Sequence, residues 1–130
     1  HQISFSLVLL TVQDLDKIIE SVGYKASQVA LKNFATQLQH HIRITDTCSR
    51  YGMNKIMLVL ANTNKEQALA FCNKLARVIK ADDIMEIRPQ PNTCFTVSAG
   101  IVEAEKGSNI EQVLTHAEAK QENLLEFLVC

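Results

Sequence analysis

Two short strings hold most of the chemistry available to this chain: Arg43-Ile44-Thr45-Asp46 and, three residues later, Arg50-Tyr51-Gly52-Met53-Asn54-Lys55. A guanidinium followed at the third position by a carboxylate can act in two ways. It can present a forked cation to phosphate oxygens while the carboxylate accepts hydrogens from the same ligand. Alternatively, the arginine ends a helix and the aspartate caps a turn or pairs with it, an exposed contact contributing about 0.2–1 kcal/mol. Composition alone favours the second reading. The other string reads as the bend of a hairpin between Thr47–Tyr51 and Ile56–Leu60, with Gly52 at the turn. Its turn offers an amide and an ammonium and no acid, and a hard cation such as magnesium wants carboxylate oxygens.

The remaining candidates are weaker. His40 and His41 are adjacent and so point in different directions on a helix, which suits an interaction with the helix C-terminus better than a shared metal. His116 has no partner at ligand spacing. Cys48, Cys72, Cys94 and Cys130 are scattered, form no CxxC pair and are expected as reduced thiols packed as small hydrophobes. Glu103, Glu105 and Glu111 read as solvated surface, Tyr24 and Tyr51 as packed at element ends. Lys32 and Lys55 lie too far apart in sequence for a basic patch. No Ser/His/Asp or Cys/His set points to nucleophilic catalysis.

The elements that must position these residues follow from periodicity. Ser4 to Val12 is an apolar run expected as a strand buried on both faces. Leu15, Ile18, Ile19 and Val22 recur at helical spacing up to Gly23, and Asp14 and Asp16 suit the start of that helix. A second helix is expected over Ala26–Ile42 and a third from Asn64, acting as its cap, with Glu66 in the first turn. Pro89 and Pro91 confine Asp82–Asn92 to edge strand or loop. Thr93–Val102 reads as a strand, Lys106–Asn109 as a turn, Ile110–Glu126 as a last helix and Phe127–Cys130 as a short closing strand. The order β-α-α-β-β-α-β-α-β predicts an α/β (α+β) domain, with one central mixed five-stranded sheet flanked by helices.

A chain of 130 residues, 47% hydrophobic and 21% charged, fits a single domain over 1–130 with a real core. The net charge of -1 gives no global field for nucleic acid or a membrane surface, so neither is expected as a partner. No apolar run reaches the length of a membrane span and no targeting signal is visible. The start at His1, close to an apolar strand, leads us to expect a domain excised from a larger multidomain protein.

The element order and five local strings resemble the GGDEF domain of diguanylate cyclases. The resemblance runs from about Phe5 to about Leu125. Phe5-Ser6-Leu7-Val8-Leu9-Leu10 is similar to the family's opening strand, and Gly23-Tyr24 to its Gly-His after the first helix. Arg50-Tyr51-Gly52 is similar to the Arg-Tyr-Gly before its signature turn, Phe95-Thr96-Val97-Ser98-Ala99-Gly100-Ile101 to its Val-Thr-Val-Ser-Ile-Gly-Val strand, and Ala117-Glu118 to the Ala-Asp of its last helix. The resemblance implies the GGDEF, nucleotide-cyclase-like fold and a cytoplasmic place, free or as the cytoplasmic part of a membrane-anchored protein. Family members condense two GTP molecules into cyclic di-GMP with divalent metal held by acids.

Against that pattern this chain has lost its catalytic positions. Thr11 replaces the first-strand Asp, and Met53, Asn54 and Lys55 replace the second glycine and both acids of the signature turn. The guanine-reading Asn and Asp fall on Ile19 and Gln28, and the phosphate-binding Lys of the last helix on Leu125. The resemblance therefore implies no catalytic residues, no metal site and no cofactor. By contrast Arg43 and Asp46 match the family's product-binding Arg-x-x-Asp motif. Lys74 falls where the next helix adds a basic residue, and Arg77, one turn on, is a substitute. The family register thus favours an inactive receptor or regulatory domain, with cyclic di-GMP bound by Arg43, Asp46, Lys74 and Arg77 and bridging to a neighbouring domain, a partner protein or a second copy. The alternatives are a ligand-free interaction or dimerisation module, and a GTP-binding regulatory domain of an attached phosphodiesterase.

Overall fold

The computed structural model of the chain describes residues 4–85, 94–105, 107–119 and 124–130. Strand β1 is Ser4–Val12, followed by helices α1 (Leu15–Val22) and α2 (Tyr24–His41) and by the hairpin β2 (Thr47–Tyr51) and β3 (Lys55–Ala61). Helix α3 is Lys65–Val78, α4 Ala81–Ile84, β4 Phe95–Glu105, α5 Ile110–Ala119 and β5 Leu124–Val129. The strands form one sheet in the order β2-β3-β1-β4-β5. All four pairings are antiparallel, where a mixed sheet was expected. Among the described residues, no helix is long and apolar enough to cross a membrane.

Position in the sheet explains each strand's pattern. β1 is central: Val8, Leu10 and Val12 enter the larger core with Phe34, Leu38, Cys72 and Leu75 of α2 and α3, while Leu7 and Leu9 enter a smaller cluster with Val113 and Ala117 of α5. Two covered faces leave no place for alternation. β3 alternates instead, with Ile56, Leu58 and Leu60 buried and the residues between them half-buried, because its second face is only partly covered.

Two turns depend on glycine. Gly23 (φ 90°) ends α1, donating its N–H to the Ile19 carbonyl at 2.7 Å, and α2 starts at the next residue, two positions before the expected start. Gly52 (φ 72°) bends the hairpin. Both backbones lie where a Cβ is disfavoured. Asn64 caps α3 as expected: its side chain accepts from the Gln67 N–H at 2.8 Å, and the Gln67 side chain accepts from the Asn64 N–H at 2.9 Å. Asp14 does not cap α1 with its side chain. It sits in the left-handed region (φ 56°), and its carbonyl takes the first helical bonds. Asp16, in the first turn, is where the helix dipole favours an acid.

Three expectations are corrected. The last helix does not run to Glu126, since Leu125 to Val129 lie in β5. There Phe127 and Val129 are buried while Glu126 and Leu128 are exposed, a period of two. Cys94 and Cys130 are joined as a disulfide, leaving Cys48 half-buried and Cys72 buried as thiols. Tyr24 is not packed but exposed at the start of α2. The edge strand or loop expected over Asp82–Asn92 is also corrected at its start, where Asp82, Asp83 and Ile84 belong to helix α4; residues 86–92 lie outside the described residues, as do Lys106 of the predicted turn and residues 120–123 of the predicted helix.

The double bond between Asn64 and Gln67 is expected to matter locally. Asn64→Ala should lower stability by about 1 kcal/mol in urea denaturation, with an unchanged denaturant slope.

Candidate functional site

Arg43 and Asp46 meet at one end of the sheet. Helix α2 stops at His41, and the chain makes a turn in which the Asp46 N–H donates to the Arg43 carbonyl at 2.9 Å. The Asp46 carboxylate then folds back. One oxygen, Oδ2, accepts from the Arg43 backbone N–H at 3.0 Å and from Nε at 3.1 Å. The other, Oδ1, accepts from Nη2 at 3.2 Å and from the Ala61 N–H at 2.8 Å. Four donors converge on a side chain that is 3% exposed, so the aspartate belongs to the wall of the protein. Arg43 is different, since its side chain is 56% exposed. Its Nη2 also donates to the Ala61 carbonyl at 2.5 Å and to the Thr63 hydroxyl at 2.7 Å, while Nη1 has no partner among the described residues. The guanidinium is thereby fixed through Nε and Nη2, with Nη1 left open.

Burial by itself raises the Asp46 pKa. The hydrogen bonds from the Arg43 side chain, the Arg43 N–H and the Ala61 N–H, with the Arg43 charge, outweigh it, and the carboxyl is held below its ordinary value.

Beside this pair lies a cleft of about 320 Å³, lined by His41, Arg43, Asp46, Leu60, Asn62, Thr63, Gln67 and Phe71. It is at the small end of the range for small-molecule sites. Lys74 and Arg77 do not line it. They are exposed on α3, one and two turns beyond Phe71.

The hairpin turn lies at the other end of β1. The backbones of Val12 and Asn54 are bonded there (Val12 N–H to Asn54 carbonyl, 2.9 Å), and Asn54 Nδ2 donates to the Val12 carbonyl at 3.0 Å. The Asn54 amide is thus turned inward to fasten the turn. Thr11 pairs with Lys55 on one side and Ser98 on the other. These three share a groove of about 460 Å³ with Leu9, Gln13, Gly100, Ala117 and Glu118. A second groove holds Met53 and Asn54 against Asp14, Asp16 and Lys17. Ile19 packs against the larger core, and Leu125, in β5, does the same. Gln28 Oε1 accepts from Arg50 Nη2 at 3.2 Å, while its buried Nε2 has no partner. Among the described residues, no three His, Cys, Asp or Glu side chains gather as a metal site.

Sequence reasoning missed three contacts here. The Tyr51 hydroxyl meets both carboxylate oxygens of Glu118 at 3.3 Å, and the negative charge of Glu118 holds the phenol above its usual pKa. Gln13 donates to Ser98, and Arg50 reaches Gln28. Each joins residues 22 or more positions apart, and no local spacing signals such a contact. The Ala61 N–H on Asp46 was likewise invisible.

Because the folded Asp46 pKa is depressed, the stability it contributes is present above its unfolded value near pH 4 and is lost as pH falls through the lower folded value. Asp46→Ala should cost about 1–3 kcal/mol at neutral pH, since it leaves the Arg43 and Ala61 N–H groups unpaired. It should also flatten the acid limb of a stability–pH curve measured by chemical denaturation.

Comparison with known proteins places this geometry. The family model "Diguanylate cyclase, GGDEF domain" matches residues 1–125. Diguanylate cyclase A of Treponema denticola is 24% identical over 98 residues, which are 75% of this chain and 26% of that protein. The chain therefore spans about a quarter of that relative. Among solved structures, the diguanylate cyclase SiaD of Pseudomonas aeruginosa, crystallised with its activator SiaC, superposes with a TM-score of 0.74 at 21% identity, over 90% of this chain and 44% of that one. The GGDEF domain of DgcB from Caulobacter crescentus, in complex with c-di-GMP, gives 0.73 at 16% identity over 89% of this chain and 68% of that one. The active GGEEF domain of a Vibrio cholerae diguanylate cyclase gives 0.72 at 19% identity, over 89% and 72%. The strand order, the hairpin and the family match over nearly the whole length agree: this chain belongs to the GGDEF domain family of diguanylate cyclases.

Proposed function

We propose that this chain is a GGDEF domain without cyclase activity that binds cyclic di-GMP beside Arg43 and serves cyclic di-GMP signalling as a receptor or regulatory module. The observation that carries the loss of catalysis is the hairpin turn. A hard dication takes carboxylate oxygens, but the turn supplies the neutral Asn54 amide, whose Nδ2 is bonded to the Val12 carbonyl, and the Lys55 ammonium. The groove adds two hydroxyls and the single carboxylate of Glu118, which also accepts from Tyr51. These residues do not fit magnesium, and we derive no nucleotidyl transfer through it.

Ligand binding is supported by the half-open guanidinium. Arg43 lines a cleft and is held there through Nε and Nη2, which leaves Nη1 to donate to a phosphate oxygen or to O6 or N7 of guanine. Asp46 holds Arg43 in this arrangement, with its four acceptor bonds already made, and does not read the base. The cleft takes only part of a cyclic dinucleotide, and the remainder would extend along α3 toward Lys74 and Arg77. A neighbouring domain, a partner protein or a second copy would complete the enclosure and receive the signal.

One observation favours a second reading. The Asp46 carboxylate spends four acceptor bonds on Arg43 and Ala61 of its own chain, which suits a ligand-free interaction or dimerisation module. Calorimetry separates the two. Cyclic di-GMP should bind the wild type, and Arg43→Ala should weaken it by about 1.5–3 kcal/mol, roughly tenfold to a hundredfold. Flat traces for the wild type at high ligand would leave the interaction module. Radiolabelled GTP with magnesium should yield no cyclic dinucleotide, and product formation would overturn the inactive reading.

A further inference from the structure

The Cys94–Cys130 bond joins the edge of the sheet to its interior. Cys94 precedes β4 and Cys130 follows β5. The last register pair of these strands is Phe95 with Val129, and the sulfurs bridge the next position, with the Cα atoms 4.3 Å apart. As an edge strand, β5 is paired on one side only, yet it supplies Phe127 and Val129 to the core. The Cys130 carbonyl also accepts from the N–H of Ala81, the first residue of α4, at 3.0 Å. Helix α4 is in turn fastened to α2, where Asn33 Nδ2 donates to the Ile84 carbonyl at 3.1 Å. One residue thus fixes β4 through its sulfur and α4 through its carbonyl.

Access divides the four cysteines. Cys94 is exposed, which gives an incoming thiolate a way to the bond. Cys48 is half-buried and Cys72 buried. Burial pushes both thiols up, that of Cys72 to about 12, which leaves them inert. Cys94 also borders a groove with Gln13, Asp14 and Lys17, and the Gln13 N–H donates to the Thr96 carbonyl at 2.9 Å. The bond therefore sits at the same end of the sheet as the hairpin turn.

We propose that Cys94 and Cys130 form a reversible redox clasp that locks β5 and α4 onto β4 when oxidised and lets both loosen when reduced by a dithiol. A thiolate of the dithiol attacks one of the two sulfurs. The S–S bond breaks, and the other cysteine leaves as a thiolate that takes up a proton. The reductant's second thiolate then attacks its own sulfur in the mixed disulfide, releasing the remaining cysteine and closing the reductant's disulfide. Two electrons pass from the dithiol to the protein.

The test compares the whole chain equilibrated with glutathione disulfide or with dithiothreitol. Native-state alkylation read by mass spectrometry should leave Cys94 and Cys130 unlabelled in the oxidised sample, and label them about tenfold or more faster than Cys48 and Cys72 in the reduced one. Hydrogen exchange should quicken about tenfold or more at Leu125–Val129 and Ala81 on reduction, with Leu7–Leu10 unchanged. Cys94→Ser and Cys130→Ser should exchange like the reduced protein in both buffers. The proposal fails if both thiols stay alkylatable under glutathione disulfide, if β5 exchanges alike in the two states, or if a serine variant keeps the wild-type response to dithiothreitol. Should the variants not fold, the wild-type pair of samples decides alone.

Discussion

The carboxylate of Asp46 accepts four hydrogen bonds from Arg43 and Ala61. It is almost fully removed from water, and a buried charge is tolerated only when its lone pairs are used. Here all four donors come from two places, the turn after α2 and the end of β3. Satisfying the charge therefore fixes the entry of the hairpin to its exit and sets where β2 begins against β3. Arg43 is positioned as a consequence, its Nε and Nη2 consumed and its Nη1 without a partner among the described residues. A motif that spacing alone leaves open between ligand binding and turn capping performs the second role with its aspartate and keeps its arginine available for the first.

The opposite end of β1 is held by the backbone. The bond between Val12 and Asn54 is independent of side-chain chemistry, so the hairpin closes there with an amide and an ammonium at its turn. Asn54 even strengthens the turn, because an amide can donate to the Val12 carbonyl where a carboxylate could only repel it. Lys55, Thr11 and Ser98 then leave a polar groove in which a cation has one carboxylate to meet and one ammonium to oppose it. Fold and chemistry separate cleanly here, as expected when the sheet is held by β1 packed on both faces and not by its corner.

Much of this fold is legible in the linear chain, and particular residues show why the rest is not. The apolar runs of β1 and β4 and the alternation of β3 each follow from how many faces are covered, and Asn64 with Gln67 is a local cap that spacing reveals. Phe127 and Val129 read as a closing strand from the sequence, but its start does not: Leu125 also fits the stripe of the preceding helix, and pairing with β4 decides for the strand. The disulfide was invisible for a related reason. Its sulfurs lie 36 residues apart, and nothing but the register of β4 with β5 brings them together. At the candidate site Arg43 and Asp46 were visible, but the fourth donor was not, because the Ala61 N–H reaches Asp46 through the hairpin and not through sequence.

The same register separates the two sites. Phe5 pairs with Ala61 at the Arg43 end of β1, whereas Val12 meets Asn54 and Val97 at the other. With 9 residues in β1 at about 3.3 Å each, the ends stand roughly 30 Å apart. Direct electrostatic coupling over that distance is screened at ordinary ionic strength, and perturbations so far apart, with no shared partner, add independently. Any influence of the cysteine pair on ligand affinity must therefore travel through the sheet, whose central strand β1 is buried over Leu7–Leu10. A strand held on both faces transmits displacement poorly unless its neighbours move with it. β4 is the one neighbour that both pairs with the full length of β1 and adjoins the disulfide. If the two ends communicate, β4 is the element that must shift.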